Sequence, residues 1–463
     1  MGYENSKAKN LKIAYIGGGS RGWAWGFMGD LAQAPDIAGT VALYDIDKEA
    51  AKNNEIIGNS IGVNYPENNN FKYKAVDSLK EALTGADFVV ISILPGTFDE
   101  MESDVHAPEE YGIYQSVGDT SGPGGIIRAL RTIPMFEVIA NAIKDYSPNA
   151  WVINYTNPMT VCIRTLYRVF PEIKAFGCCH EVFGTQKFLA KILGEKGYGE
   201  IERDEIKVNV VGVNHFTWIT EAKYQDMDLF PIYREYCLDS NKKVVDADDG
   251  WLNKFFISQE RVKMDLFMRY GVIAAAGDRH LAEFCPGKWY LIGDNEKCVK
   301  TWGFGLTPVS WRKKDLEERL AKSRRLVSGE EKYELHTTGE DGVKQIRALL
   351  GLEDLVTNVN VPNVGQIPNL PLGAVVETNA LFTCDSVKPV MAGEVPKNVN
   401  TLVAPIVTLQ EIVVEAGLTR DLDFAFQAFS RDPLMTASRT DAKVLFDKMV
   451  ANTSKYLQDY LNK

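Results

Sequence analysis

The sequence predicts an α/β protein in which a doubly wound parallel sheet is followed by an α+β lobe of mixed or antiparallel strands and helices. Three observations carry this reading. An apolar run near the N-terminus ends in glycines and opens into a helical pattern. Apolar runs then alternate with helical stretches to about residue 200, where the rhythm changes. A chain of 463 residues exceeds one ordinary domain, so two units are expected, at 1–200 and 201–463.

The first run is "LKIAYIGGGSRG", residues 11–22, with a helical stretch from Ser20 to about Ala34. "GTVALYDID", residues 39–47, reads as a second strand ending in acids, and residues 48–62 read as a helix. "ADFVVISIL" (86–94), "AWVINYTNP" (150–158) and "IKAFGCC" (173–179) are continuous apolar runs, as expected of parallel strands covered on both faces. Between them, Gly125 to Tyr146 carries an apolar stripe through Ile126, Leu130 and Ile133, with a kink or break expected at Pro134. Further on, "IKVNVVGVNHFTWITEAKY" predicts two strands about a turn at Asn214 and His215. Ser258–Tyr270 is amphipathic and stops at Gly271, "GAVVETNALF" is a strand of the second lobe, and residues 400–461 are largely helical.

Composition narrows the function classes. Hydrophobic residues make up 45% and charged residues 24%, an ordinary globular balance. A net charge of −11 argues against nucleic acid or an anionic membrane as partner, while a local cationic pocket for an acidic substrate remains compatible with it. No apolar stretch is read as approaching the ~20 residues that span a bilayer, and the polar N-terminus lacks a signal-peptide core. Seven cysteines without a CxxC pair point to a reducing, cytoplasmic setting.

Gly17, Gly19 and Gly22 satisfy G-x-G-x-x-G between a strand and a helix, with Ser20 inside the turn. Glycine is needed there because side chains would block the turn and the approach of backbone N–H groups to a pyrophosphate. Asp45 ends the next strand, where a carboxylate can accept from a ribose diol; this favours NAD over NADP in a Rossmann-type unit. Of five histidines, His180, His215 and His280 lie in "GCCHEVFG", "GVNHFTW" and "AAGDRHLAEF". With Cys179 they suggest a convergent divalent-metal site with open positions, zinc being the first choice from ligand type alone. Cys178 and Cys179 at a strand end are also ordinary core composition.

"IAYIGGGSRGW", "SVGDTSGPGGIIRALRTIP", "INYTNPM", "GCCHEVFG", "VNHFTW" and "VPNVGQIPNLP", in that order, resemble family-4 glycoside hydrolases from about Leu11 to the last helix. Within that family the chain is most similar to the bacterial α-galacturonidases. The resemblance implies a hydrolase of α-linked galacturonides that uses NAD and a divalent metal, usually Mn²⁺, and consumes neither; this family is a known exception to two-carboxylate glycoside hydrolysis. It implies metal binding by Cys179 and His215, and a sugar hydroxyl held by Asn157. It places Asp119 among active-site polar groups and leaves the acid open, because His180 follows the metal cysteine where some members carry aspartate.

Oxidation at carbon 3 acidifies the carbon-2 proton, the aglycone is eliminated, water adds, and the hydride returns. Asp278 is preferred to a tyrosine as the carbon-2 base, and Cys178 is expected on the opposite face from Cys179. The uronate carboxylate needs a cation: Arg279 first, then His280, with Arg128 and Arg131 behind them. The alternatives are another family-4 specificity (α-glucuronide, neutral α-glycoside or 6-phospho-glycoside), a hydroxy-acid dehydrogenase, or a non-catalytic NAD sensor. By analogy with the family, a homodimer or tetramer is expected.

Overall fold

The computed structural model describes residues 1–4, 7–239 and 255–462. Strands β2 (Lys7–Ile16), β3 (Ile37–Tyr44), β4 (Phe71–Val76), β5 (Phe88–Ile91), β6 (Trp151–Asn154) and β7 (Lys174–Gly177) are parallel, in the order β4-β3-β2-β5-β6-β7. The order reverses between β2 and β5, and ligands of such sheets bind beyond the carboxyl ends of the strands at that reversal. A short β1 (Gly2–Glu4) pairs with β2.

The apolar runs are continuous because both faces are buried. Ile13, Tyr15, Val90, Ile153, Phe176 and Cys178 pack on one face. Ala14, Ile16, Val89, Val152, Ala175 and Cys179 pack on the other. Alternation along β7 thus puts the two vicinal thiols in separate cores, as expected.

The segment read as a second-lobe strand returns to the first sheet. Here β12 (Leu355–Pro362) pairs antiparallel with β7 at Asn360 and Gly177, and β13 (Val375–Thr383) and β14 (Ser386–Pro389) follow outward. A division at residue 200 therefore separates the sheet from three of its strands. Covering the β7 edge removes a row of unpaired backbone groups, a tertiary requirement that no local pattern displays.

The second sheet is antiparallel, with β9 (Phe216–Tyr224) beside β8 (Ile206–Val213), β10 (Met227–Asp228) and β11 (Ile273–Ala274). Its β8–β9 turn is Asn214–His215, and His215 takes the left-handed conformation at φ 64°. At Pro134, where a kink or a break is expected, the helix Gly122–Tyr146 is not broken. Helix Lys397–Thr419 packs against it.

That second helix corrects the expectation of no long apolar segment. It is long and apolar enough to cross a membrane by length and composition. Its buried residues, Val399, Val403, Ile406 and Val407 among them, belong to the largest core cluster.

Candidate active site

The glycine loop closes the β2 end mostly with backbone. Gly17 and Gly18 donate to Tyr44 O at 2.9 Å each, and Ser20 N donates to Gly17 O at 3.0 Å. Gly17 sits at φ +94°, and a Cβ there would lie 1.9 Å from Ser92 O, at the carboxyl end of β5. A Cβ on Gly19 would meet Ala50 Cβ at 2.6 Å. Asn54 braces the turn by donating to Gly18 O (2.7 Å) and Ser20 O (2.9 Å). Asp45, the expected ribose acceptor, takes Gly19 N at 2.8 Å and Asp47 N at 2.9 Å. Gly22 caps helix Trp23–Ala32 with no side-chain cap, so its first-turn N–H groups remain available to an anion. These features fit a dinucleotide pyrophosphate.

A second constellation gathers residues from distant segments. One ligand atom each from Asp119, His215 and His280 lies within 4.8 Å of the others. The two imidazoles stack at 3.8 Å between centroids. Thr120 Oγ1 donates to Asp119 Oδ1 at 2.7 Å and stands 3.0 Å from His215 Nδ1. With its proton given to Asp119, the hydroxyl accepts from Nδ1–H, which leaves Nε2 of His215 as the ring's lone-pair donor.

Charge supports that assignment. Burial raises Asp119, but Arg128 and the two histidines outweigh it and hold the carboxyl at about 2. Burial and the neighbouring His280 push His215 down to about 3, so it is neutral, the form that ligates. Glu181, unassigned in the sequence reading, belongs beside this group. Its Oε2 accepts from Gly277 N at 2.8 Å, its Oε1 is 3.7 Å from His280 Nε2, and His280 and His215 oppose burial to hold it at about 2. An ionised carboxylate with two neutral imidazoles fits a divalent cation.

Cys179, expected to pair with His215 at the metal, stands outside the three residues whose ligand atoms already converge. Burial, Glu377 and Glu181 raise its thiol well above its usual range. A buried thiol among carboxylates stays protonated until a cation arrives to ionise it. A polar network lies beside it. Asn358 donates to Cys179 O at 3.1 Å and to Glu377 Oε1 at 2.6 Å, and Thr217 donates to Glu377 Oε2 at 2.6 Å. Strands β12 and β13 supply two of these groups, and periodicity alone gave no hint of them.

His180 turns aside. Its Nδ1 pairs with Glu340, which raises the imidazole, and its ring centroid stands 6.5 Å from Trp23. His180, the candidate at the position where some relatives carry the acid, therefore stands outside the Asp119–His215–His280 group. Asn157 receives Arg128 Nε on its backbone oxygen at 3.0 Å, while its buried Oδ1 has no partner. His280 Nδ1 and both side-chain polar atoms of Asn214 have no hydrogen-bond partner either. Unsatisfied buried atoms are unfavourable, and their concentration here marks a place for polar ligand groups.

Helix Asp278–Phe284 carries two more buried carboxyls. Asp278 Oδ1 accepts from Lys263 N at 3.0 Å and Oδ2 is unpartnered; burial and Glu260 raise it to about 7. Its charged neighbours are thus Glu260 and Lys263, at the N-terminal end of helix Arg261–Tyr270, rather than the histidine cluster. Glu283, also missed in the sequence, holds Val117 N (2.7 Å) and Gly118 N (2.9 Å) and is raised to about 7 by burial. It fixes the loop that presents Asp119. Carboxyls driven to opposite extremes within one region are the usual signature of separate acid, base and ligand duties.

The family model described as "Family 4 glycosyl hydrolase" matches residues 12–195, and that for the "Family 4 glycosyl hydrolase C-terminal domain" matches residues 210–435. The chain belongs to family 4 of the glycosyl hydrolases. It is therefore an O-glycosyl hydrolase. An alpha-galacturonidase of Thermoanaerobacterium saccharolyticum is 62% identical over 463 residues, covering 99% of each chain. A Bacillus subtilis crystal structure, described as the putative glucosidase lplD, superposes with TM-score 0.90 at 54% identity, over 95% of this chain and 100% of that one. The 6-phospho-beta glucosidase of Thermotoga maritima, solved with manganese, NAD⁺ and glucose-6-phosphate, shares the fold with TM-score 0.77 at 22% identity, over 96% and 99%.

Proposed function

We propose that the chain is an α-galacturonidase that cleaves α-linked galacturonides by the family's redox-neutral route, with NAD and a divalent metal, Mn²⁺ first. The full-length 62% identity to an alpha-galacturonidase supports the substrate class. The observation that carries the mechanism is the ionised Asp119 converging with His215 and His280.

The residues that would hold the metal are Asp119, His215 and His280, with the Cys179 thiol joining once ionised. The glycine loop from Gly17 to Gly22, with Asp45, would hold NAD. When bound, these groups supply a reversible oxidation at carbon 3 and polarisation of the adjoining oxygens, which makes the carbon-2 proton acidic.

The chain's own residues do the rest. Asn157 Oδ1, buried and unpartnered, accepts a sugar hydroxyl. Asp278 has one unpartnered oxygen and a pKa raised to about 7, so it can take the carbon-2 proton near neutral pH. Its present hydrogen bond to Lys263 N must stay on the other oxygen as it does so. Glu181 keeps negative charge against His280, and Glu283 holds the Asp119 loop in place.

The test is turnover of nitrophenyl α-galacturonide, α-glucuronide, α-galactoside and a 6-phospho-glucoside under reductant, with NAD⁺ and Mn²⁺. Release from the galacturonide alone, abolished by a chelator, is expected. Undiminished turnover without metal, or net NADH from a 2-hydroxy acid, would refute the proposal. Sedimentation analysis tests the proposed dimer or tetramer.

A further inference from the structure

Asp119 is surrounded by more cation than one carboxylate requires. Arg128 lies on helix Gly122–Tyr146, Arg279 on helix Asp278–Phe284 and Arg312 on helix Val309–Ser328. The Arg312 charge interacts with Asp119 and Glu283, and it repels both Arg279 and Arg128. Among the described residues, no carboxylate forms a direct ion pair with any of the three.

Their hydrogen bonds leave donors over. Arg128 Nε is taken by Asn157 O at 3.0 Å. Arg279 donates through Nη2 to Ser116 O at 3.1 Å and to Thr307 Oγ1, with its guanidinium 4.7 Å from the centroid of the Phe256 ring. The Nε–H groups of Arg279 and Arg312 are both buried without an acceptor. Two half-buried like charges whose Nε–H groups are buried without an acceptor are unfavourable alone, and an anion with two acceptor oxygens relieves both defects. One segment ties the pair together: Thr307 takes Arg279, its N donates to Ser116 O at 3.2 Å, and Arg312 lies five residues on.

We propose that Arg312 is a specificity-determining residue that, with Arg279, binds the carboxylate of the sugar. This rests on the galacturonide reading above and names the residue that enforces it.

The test is calorimetric titration of the full-length chain, saturated with NAD⁺ and Mn²⁺, using D-galacturonate, D-galactose and D-galactose 6-phosphate. Wild type is expected to prefer galacturonate to galactose by at least about 30-fold, the scale of hydrogen bonds to charged groups. Arg312→Met should remove most of that preference while NAD⁺ affinity changes less than about threefold and the melting curve is preserved. Arg312→Gln, equally uncharged, is read in the same way if the methionine variant does not fold. Undiminished galacturonate preference in the variant overturns the inference and leaves the galacturonidase reading standing. A parallel loss of galactose affinity also overturns it, as a general packing defect. Wild type that prefers galactose or its 6-phosphate overturns the galacturonidase reading itself.

Discussion

The glycine loop and the histidine cluster are built by opposite means. Gly17, Gly19 and Gly22 lie in one turn, and the partners of that turn, Tyr44, Asp45 and Asn54, follow in the next strand, its end and the next helix. Asp119, His215 and His280 come from a loop before a long helix, a hairpin turn and the first turn of a short helix. The first site is mostly backbone, held by local geometry. The second is side chains, held by the packing of two lobes. One can therefore be damaged with little effect on the other.

The largest separation is expected from His215→Ala. Loss of a neutral imidazole donor should weaken Mn²⁺ binding at least about a hundredfold, with turnover falling in step. NAD⁺ affinity should change little in the same protein. A matching collapse of NAD⁺ binding would mean that the two sites are a single cooperative unit.

Gly17→Ala probes the other side. The left-handed φ and the approach to Ser92 O are expected to destabilise the fold by about 3 kcal/mol and abolish NAD⁺ binding, measured by denaturation and titration. Native-like stability with intact NAD⁺ affinity would show that the turn yields.

Asp432 sharpens the comparison, because it accepts Gly122 N at 3.1 Å just after the Asp119 loop. Burial raises it from 3.8 to about 7. A raised carboxyl stabilises the fold fully below its unfolded pKa, and that stability is lost as pH rises towards the folded value. Relative to Asp432→Asn, wild type should lose a few kcal/mol between about pH 4 and pH 7 and then level off. A pH-independent difference would remove the buried-charge explanation.

The smallest effect is expected from His180→Ala. With its ring held by Glu340, the substitution should lower kcat/KM by less than about tenfold. A far larger loss, absent from Glu340→Gln, would return the imidazole to the chemistry.

Much of this was legible beforehand. Strand–glycine–helix spacing located the glycine turn at the end of β2, and the two-residue alternation continued past β7 separated Cys178 from Cys179. The turn at Asn214–His215 was readable because strand composition breaks there. Glu181 and Glu283 were not readable, since a carboxylate in a helix looks the same in sequence whether solvated or buried against histidines. Nor was the role of Asp278 in holding Lys263 N, which depends on how two helices meet.

Sequence alone settled the elements and the local turns, because those depend on backbone sterics and on apolar periodicity among near neighbours. Tertiary structure decided that β12–β14 complete the first sheet, that Asp119 and His280 come together with His215, and which carboxyls are ionised. Those outcomes turn on burial and on charges contributed by distant segments, quantities that exist only once the chain has folded.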